Sequence, residues 1–315
     1  MGKRTKADDG PGGLVIVDKP AGWTSHDVVG RVRRLARTRR VGHAGTLDPM
    51  ATGVLVVGVE KTTRLLGHLA LTSKTYQATI RLGRSTITDD AEGEVTAEAD
   101  ASNVSDDMIR GAIPSFTGEI AQRPSAVSAI KVDGVRSYKR VREGEAVELA
   151  ARPVTVHRFE VHEIRRAGSA DAVNAGAVNT VDVDVTVECS SGTYIRALAR
   201  DLGAALGVGG HLTMLRRTAV GPYGLDLARP LAELTELVDG GGELPIVPLD
   251  VAARSAFPAR DVSEQEAGSV AHGGFLTASG TEAGPVAVFG PDGRFLALYE
   301  DLPGGRKAKP VAVFS

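Results

Sequence analysis

Residues 42–53 read Gly42-His43-Ala44-Gly45-Thr46-Leu47-Asp48-Pro49-Met50-Ala51-Thr52-Gly53. Three glycines bend this backbone, and Pro49 biases Asp48 toward an extended conformation. We therefore expect residues 42–53 to form a loop that presents the Asp48 carboxylate rigidly, as a nucleophile requires. An isolated Asp-Pro pair more often braces its own turn, because Asp is a common turn former. The segment needs further motifs beside it before it indicates catalysis.

Hydrophobic spacing on either side of this loop predicts both strands and helices. In chain order we expect a buried strand over 14–17, an amphipathic helix from the N-cap Ser25 through Ala36 with arginines on its outer face, a strand over 54–59, a helix over 61–71, a half-exposed strand over 76–82, a polar loop over 84–94, a helix capped by Ser105 over 105–112, a hairpin turn at Asp133-Gly134, a strand over 181–187 and a helix over about 194–206.

The length of 315 residues exceeds that of a usual single domain, so we expect one large and one smaller domain. Short apolar runs over 286–289, 295–299 and 311–314 predict a small β module at the carboxyl end. Residues 167–179 resemble a surface-loop insertion. The expected division is a disordered tail over 1–12, a catalytic domain over 13–230, a linker over 231–247 and a β-rich domain over 248–315.

The charge distribution points to one part of the chain as a nucleic-acid site. Residues 231–315 hold 6 Lys/Arg and 12 Asp/Glu of the chain's 37 and 39, which leaves 31 and 27 in residues 1–230. The larger part is therefore net +4 and the carboxyl part net −6. Phosphate contacts are expected in the larger part, where cations release the counterions of the nucleic acid.

Other features restrict the compartment and the kind of site. No apolar run reaches the roughly 18 residues of a membrane span, and the amino terminus has no apolar signal segment. The single cysteine, Cys189, can form no internal disulfide and no Cys-based zinc site. We expect a cytoplasmic protein without membrane or metal partners, acting as a monomer.

Further motifs accompany the Asp48 segment in a fixed order. They are Val17-Asp18-Lys19-Pro20-Ala21-Gly22, Lys74-Thr75-Tyr76, Ser128-Ala129-Ile130-Lys131-Val132-Asp133-Gly134, Gly192-Thr193-Tyr194-Ile195-Arg196 and Leu215-Arg216-Arg217-Thr218. Together with residues 42–53 they resemble the motifs of the bacterial TruB-type tRNA pseudouridine(55) synthases, over about residues 13–225. Several ordered motifs are strong evidence where any one alone would be modest.

This resemblance implies an α+β fold: a pseudouridine-synthase-like catalytic domain with a central mixed, mostly antiparallel sheet, and a small β-rich PUA-like carboxyl-terminal domain. It implies isomerisation of uridine 55 in the T-loop of tRNA to pseudouridine. Asp48 matches the family's nucleophile. Tyr76 would stack the flipped base and assist proton transfer, and Arg196 would hold the charge of the carboxylate. No redox change or energy input occurs, so no cofactor is expected.

The resemblance also implies residues that contact the RNA. His43 matches a position that contacts the target loop, and Lys19 one that supports the core of the site. The substrate-binding set is His43, Lys19, Gly45, Thr46, Leu47, Lys131, Tyr194, Arg216 and Arg217. Further candidates for phosphate contacts are the arginines of 31–40 together with Arg136, Lys139, Arg140 and Arg142.

The chain departs from the family pattern at two positions, and two other functions stay open. Ile87 stands where the family usually has an acidic residue, and Val127 replaces a common tyrosine.

A tRNA-binding folding chaperone would use the same RNA-binding surface, and catalysis would be secondary. A glycosidase would pair Asp48 with Asp89 and Asp90, although neighbouring carboxylates usually diverge.

Overall fold

The computed structural model describes residues 12–125, 131–132, 135–136, 149–166, 178–281 and 284–314. The tail over 1–11 and the turn Asp133-Gly134 lie outside the described residues. So do Val127, Lys139, Arg140, Arg142 and most of the expected insertion. Within these ranges strands alternate with short helices, which confirms the α+β class.

The elements are numbered in chain order. The strands among the described residues are β1 (Gly13–Lys19), β2 (Val41–Ala44), β3 (Thr52–Val59), β4 (Lys74–Leu82), β5 (Arg84–Thr86), β6 (Val95–Glu98), β7 (Gly118–Gln122), β8 (Lys131–Val132), β9 (Val135–Arg136), β10 (Arg152–Arg166), β11 (Val181–Cys189), β12 (Gly210–Val220), β13 (Tyr223–Gly224), β14 (Arg229–Pro230), β15 (Val247–Pro248), β16 (Ala259–Asp261), β17 (Leu276–Thr277), β18 (Val286–Phe289), β19 (Phe295–Asp301) and β20 (Lys307–Val313). The α-helices are α1 (Ser25–Leu35), α2 (Leu66–Leu69), α3 (Asp106–Ala112), α4 (Ile195–Ala205), α5 (Leu231–Asp239), α6 (Leu249–Ala256) and α7 (Glu264–Ala271), and 3-10 turns lie at Glu60–Arg64 and Ile113–Phe116.

The chain forms two compact units. Among the described residues, the first contains those within 1–49, 53–70 and 220–315, and the second contains those within 50–52 and 71–219. The expected boundaries at 230 and 247 stay a prediction. Within the expected linker, however, α5 is helical and buries Leu231 and Leu234 against the core of the first unit.

Strand β1 organises the first unit. It pairs antiparallel with β3 and β15 and parallel with β14, and β2 pairs antiparallel with β3. Its side chains alternate between two cores, as a strand covered on both faces requires. Val15 and Val17 pack with α1 on one face. Leu14 and Ile16 point to the other face, into a separate buried cluster that includes Val54 and Val56 of β3.

The carboxyl-terminal strands form a five-stranded sheet in the order β16-β18-β19-β20-β17, which confirms the expected β-rich module. Phe289, Phe295 and Phe314 contact one another in turn as tilted ring pairs, with centroids 5.5 and 4.7 Å apart. These three rings belong to the same buried cluster as Leu14 and Ile16 of β1. The module and the first strand of the chain therefore share one hydrophobic core.

The second unit contains the strand order β12-β4-β11-β10-β7. Strand β4 pairs antiparallel with β11 from Lys74↔Cys189 to Leu82↔Val181, and β10 pairs antiparallel with β11 and β7. The alternating valines of β11 are almost completely buried, as their period predicted. Both units thus contain mostly antiparallel pairs, in agreement with the expected mixed sheet.

Several local expectations need correction. Only residues 45–51 form the loop, because residues 41–44 pair with β3, a non-local contact that overrides local glycine content. The N-cap of α1 is Thr24, in a capping box with Asp27. The expected helix over 61–71 is a 3-10 turn followed by the short α2, and the Thr63 hydroxyl donates to the Glu60 carbonyl within that turn. Part of the expected loop over 84–94 is β5, which pairs with β6.

Candidate active site

The loop over 45–51 carries Asp48 between β2 and β3. Gly45 opens it with φ +86°, a conformation that side chains with a Cβ rarely adopt. Leu47 is 4% exposed, so its side chain anchors the loop in the interior. Asp48 is half-buried and the adjacent Pro49 is exposed. The loop thus has one buried anchor directly beside its acidic residue.

Two buried polar side chains hold the backbone of this loop. The Lys19 ammonium, completely buried at the end of β1, donates to the carbonyls of Trp23 at 2.6 Å and Pro49 at 3.1 Å. The Ser25 hydroxyl donates to the Leu47 carbonyl at 3.2 Å and accepts from the Leu47 N–H at 2.9 Å. The hydrogen bonds to Leu47 and Pro49 lie on either side of Asp48 in the chain. The carboxylate is therefore presented from a backbone fixed on both sides.

His43 lies in β2, immediately before this loop. Its half-buried ring meets the ring of His26 edge to face, with centroids 5.7 Å apart and planes at 78°. His26 is exposed in the first turn of α1, and Thr46 is exposed in the loop. These side chains give the first unit a polar surface beside the loop that carries Asp48.

In the second unit, Tyr76 and Tyr194 have well-defined positions. Tyr76 lies in β4 opposite Val187 and is 9% exposed, so its ring is packed on most sides. Tyr194 is the N-cap of α4, and both of its backbone polar groups bond to the buried Gln122 amide, at 2.8 and 3.0 Å. The amide of Gln122 thereby fixes the start of the helix that carries Arg196.

Arg196 lies in the first turn of α4 with only 6% exposure. Its Nη1 donates to the Thr88 carbonyl at 2.7 Å and lies 3.5 Å from Oδ2 of Asp90. Asp90 is itself buried, and its other oxygen accepts from the Thr88 hydroxyl at 2.5 Å and the Glu92 N–H at 3.1 Å. A buried cation is thus paired with a carboxylate that is itself held by two hydrogen bonds.

Comparison with known proteins decides the family. Residues 33–195 match the model of the TruB family pseudouridylate synthase N-terminal domain, and residues 196–241 and 257–315 match two tRNA pseudouridine synthase C-terminal models. The chain is 60% identical over 311 residues to tRNA pseudouridine synthase B of Paenarthrobacter aurescens, covering 96% of this chain and 95% of that one.

This chain belongs to the TruB family of pseudouridylate synthases. A second relative, tRNA pseudouridine synthase B of Streptomyces griseus, is 59% identical over 305 residues, covering 97% of this chain and 98% of the relative. Agreement over nearly the whole length includes the carboxyl-terminal module as well as the motif regions.

Two solved structures share the fold of this chain. A chain of an H/ACA RNP bound to a substrate RNA containing 2′-deoxyuridine aligns with a TM-score of 0.70 and 26% identity, covering 96% of this chain and 85% of that chain. A chain of a Cbf5-Nop10-Gar1 complex aligns with a TM-score of 0.72 and 27% identity over the same shares. The expected fold class is therefore confirmed.

Two members of the expected RNA-binding set are interior residues in this TruB-family chain. Lys19 is 0% and Arg217 is 1% exposed. The role expected of Lys19 is to support the core of the site, and the roles of both residues stay predictions. Arg216 and Arg217 are consecutive in β12 and face opposite ways, because side chains alternate along a strand. Arg216 remains half-buried and donates to the Thr52 hydroxyl at 3.2 Å. Lys131 lies in β8, paired with Arg136 of β9.

Asp90, the ion-pair partner of Arg196, is a residue that the sequence pattern did not assign to the site. It was considered only for a glycosidase, as one of the two carboxylates that Asp48 would pair with. In the structure the two carboxylates turn to different arginines: Asp89 contacts Arg200 at 3.2 Å, whereas Asp90 contacts Arg196. Burial raises the pKa of Asp89, and the neighbouring Arg200 charge opposes that rise. In the sequence, Asp89 and Asp90 stand out only as neighbouring carboxylates in a polar segment after a strand. The sequence alone does not show which of them pairs with Arg196.

The described residues hold no group of three or more His, Cys, Asp and Glu side chains placed to bind a metal ion. In the same ranges, no helix is long and apolar enough to span a bilayer.

Proposed function

We propose that this chain isomerises uridine 55 in the T-loop of tRNA to pseudouridine, with Asp48 as the nucleophile. The family and the relatives named tRNA pseudouridine synthase B support the reaction class. The observation that carries the proposal for Asp48 is the clamped loop, in which Lys19 and Ser25 hold the backbone on both sides of the carboxylate. A nucleophile fixed in this way loses little conformational freedom on reaching the transition state.

The reaction breaks the N1–C1′ bond, turns the uracil and joins C5 to C1′. The hydrogen on C5 leaves, and N1 gains a proton, so the isomerisation balances without an oxidant or cofactor. Asp48 can add to C6, attack C1′ or promote a glycal by deprotonation. All three routes need an ionised carboxylate close to an extruded nucleotide.

Tyr76 and Arg196 are proposed to act on the same uridine. Tyr76 offers a ring held by β4 for stacking and a hydroxyl that assists removal of the C5 proton. Arg196 is proposed to hold the charge and the direction of the Asp48 carboxylate during the reaction. Its fixed contacts with Asp90 and Thr88 support this role, because an oriented guanidinium needs no rearrangement during the reaction.

The proposed partner is the T-arm stem-loop of tRNA, bound without a metal or cofactor by a monomeric, cytoplasmic protein. Extruding a stacked uridine costs a few kcal/mol, which protein stacking and phosphate contacts offset. His43, Gly45, Thr46, Leu47 and Tyr194 are proposed to shape the substrate site, with Lys131 and Arg216 as phosphate contacts.

The test uses a T-arm stem-loop tritiated at uridine C5. The wild-type chain should release tritium, whereas Asp48→Asn should release none above background and bind the RNA within about threefold of wild type. Asp107→Asn, an exposed carboxylate in the first turn of α3, is the matched control and should react normally.

Two results would overturn the proposal. Tritium release by Asp48→Asn at the wild-type rate would remove Asp48 as the nucleophile. RNA binding by the wild-type chain without any release would instead favour a folding chaperone.

A further inference from the structure

An open groove of about 480 Å³ lies on the first unit, along the exposed side of α1. Its walls include Trp23, His26, Arg31 and Arg34. None of these four residues has a role in the proposed reaction. The groove combines two aromatic rings with two cations, the side chains that bind unpaired nucleotides.

Trp23 forms a prepared platform in this groove. Its carbonyl accepts the buried Lys19 ammonium at 2.6 Å, and the next residue, Thr24, is the N-cap of α1. The half-buried ring packs against the core that contains Val28 and Val32. The backbone and one side of the indole are therefore held before any ligand arrives, which lowers the entropy cost of binding.

Arg31 places a cation over this platform. Its guanidinium carbon lies 5.6 Å from the centroid of the Trp23 ring, within the range of a cation–π contact. Arg34 and Arg40 have acidic partners, Asp239 and Glu60. The guanidinium of Arg31 contacts an aromatic ring instead, an arrangement that matches an anion carrying a flat base.

The charge around the groove favours a polyanion. Residues 31–40 contain six arginines and no acidic residue. One acidic residue, Asp27, also lines the groove, and its carboxylate accepts a hydrogen bond from the Thr24 N–H at 2.9 Å in the capping box. Arg31 and Arg34 in the same wall outnumber this single negative charge. The groove also adjoins the site already described, because His26 touches His43.

We propose that this groove binds one unpaired nucleotide of the RNA substrate, next to the part of the loop that His43 contacts. The base stacks on the face of Trp23 that Arg31 covers, and the Arg31 guanidinium moves off that face to pair with the phosphate. This site rests on the proposed function for its RNA, but it takes no part in the chemistry.

Trp23 is the single tryptophan of the chain, so its fluorescence reports on this groove alone. Titrating Asp48→Asn with the T-arm stem-loop should quench the emission in a saturable curve. The midpoint should agree with that from fluorescence anisotropy of labelled RNA. RNA binding by anisotropy with unchanged Trp23 emission would overturn the proposal.

Variants separate stacking from general charge. Trp23→Ala should weaken RNA affinity about tenfold, and Trp23→Phe, which retains a ring, by less than about threefold. Arg31→Gln should lower the slope of log affinity against log salt by about 0.7 to 0.9. Lys61→Gln, an exposed residue outside the groove, makes the same charge change and should leave both the slope and the quenching unchanged. Equal effects of Arg31→Gln and Lys61→Gln would contradict a specific site.

Failure of this proposal can be distinguished from failure of the proposed function. Tritium release by wild type without any change in Trp23 emission would remove the groove and leave the reaction intact. Quenching of Trp23 without tritium release would contradict the proposed reaction and leave the groove proposal intact. Thermal unfolding of each variant ensures that affinity is compared among folded proteins, and the quenching experiment needs no change at the groove.

Discussion

Lys74 is a buried cation at the start of β4. Its side chain is 6% exposed, and its ammonium donates to the Thr72 carbonyl at 2.5 Å. Burial, reinforced by the neighbouring Arg217 charge, lowers the pKa of Lys74 from 10.5 to about 8. The folded chain therefore holds this proton less tightly than the unfolded chain does.

This difference predicts a pH dependence of stability. Below pH 8 both states are protonated, and the buried charge reduces the free energy of unfolding by about 3 kcal/mol. Between about pH 8 and 10.5 the unfolded state binds more protons, so stability rises relative to a chain without Lys74. Urea unfolding of wild type and Lys74→Met from pH 7 to 10.5 should show Lys74→Met more stable at pH 7, with the gap closing as pH rises. Parallel curves would contradict the lowered pKa.

Asp90 and Arg196 are both more than nine-tenths buried, so removing one charge leaves the other poorly compensated. Asp90→Asn retains the shape and should cost about 3 kcal/mol of stability by denaturant unfolding. Turnover should fall at least tenfold in the tritium assay, with RNA affinity retained, because Arg196 loses its orientation. Asp201→Asn changes a half-buried partner of Arg200 and should cost less than about 1 kcal/mol. Equal losses in the two variants would show that burial of the Asp90 pair has no special effect.

At the level of elements, the clamp on the loop over 45–51 depends strongly on one hydroxyl. Ser25→Ala removes two hydrogen bonds to Leu47 and leaves buried backbone groups unsatisfied, which should cost about 1 to 3 kcal/mol. Turnover should fall more than RNA affinity, because the variant loosens the Asp48 loop. Ser255→Ala, which removes one exposed hydrogen bond to Val251 within α6, is the matched control and should be nearly neutral. A Ser25→Ala chain with wild-type stability and turnover would show that the loop holds its shape without this hydroxyl.

For the whole molecule, the shared core links the carboxyl-terminal module to the first strand. Phe295 is 4% exposed and packs in the same cluster as Leu14 and Ile16. Phe295→Ala should therefore cost about 3 to 5 kcal/mol, and amide exchange should speed up in β1 as well as in β19. Phe275→Ala, at a site that is 59% exposed, is the control and should change neither. Faster exchange confined to the carboxyl-terminal strands would show that the module opens separately.

Local patterns identified most of the regular elements. Strands β1, β4 and β11, helix α1 and the Ser105 cap of α3 follow from alternation, helical spacing and N-cap chemistry, which act over a few residues. The ordered motifs were also enough to name the family and to select Asp48, Tyr76 and Arg196 as candidates. These signals lie in short stretches of chain, so no knowledge of distant contacts was needed.

The remaining features depend on residues far apart in the chain. Pairing with β3 makes 41–44 a strand, and the packing around β12 buries Arg217 while Arg216 faces the other way. The partner of Arg196 is Asp90, more than one hundred residues earlier, and the phenylalanines near the carboxyl end complete a core begun at Leu14. Side-chain burial and ion pairing depend on which surfaces meet after folding. The spacing of residues along the chain therefore does not predict these tertiary contacts.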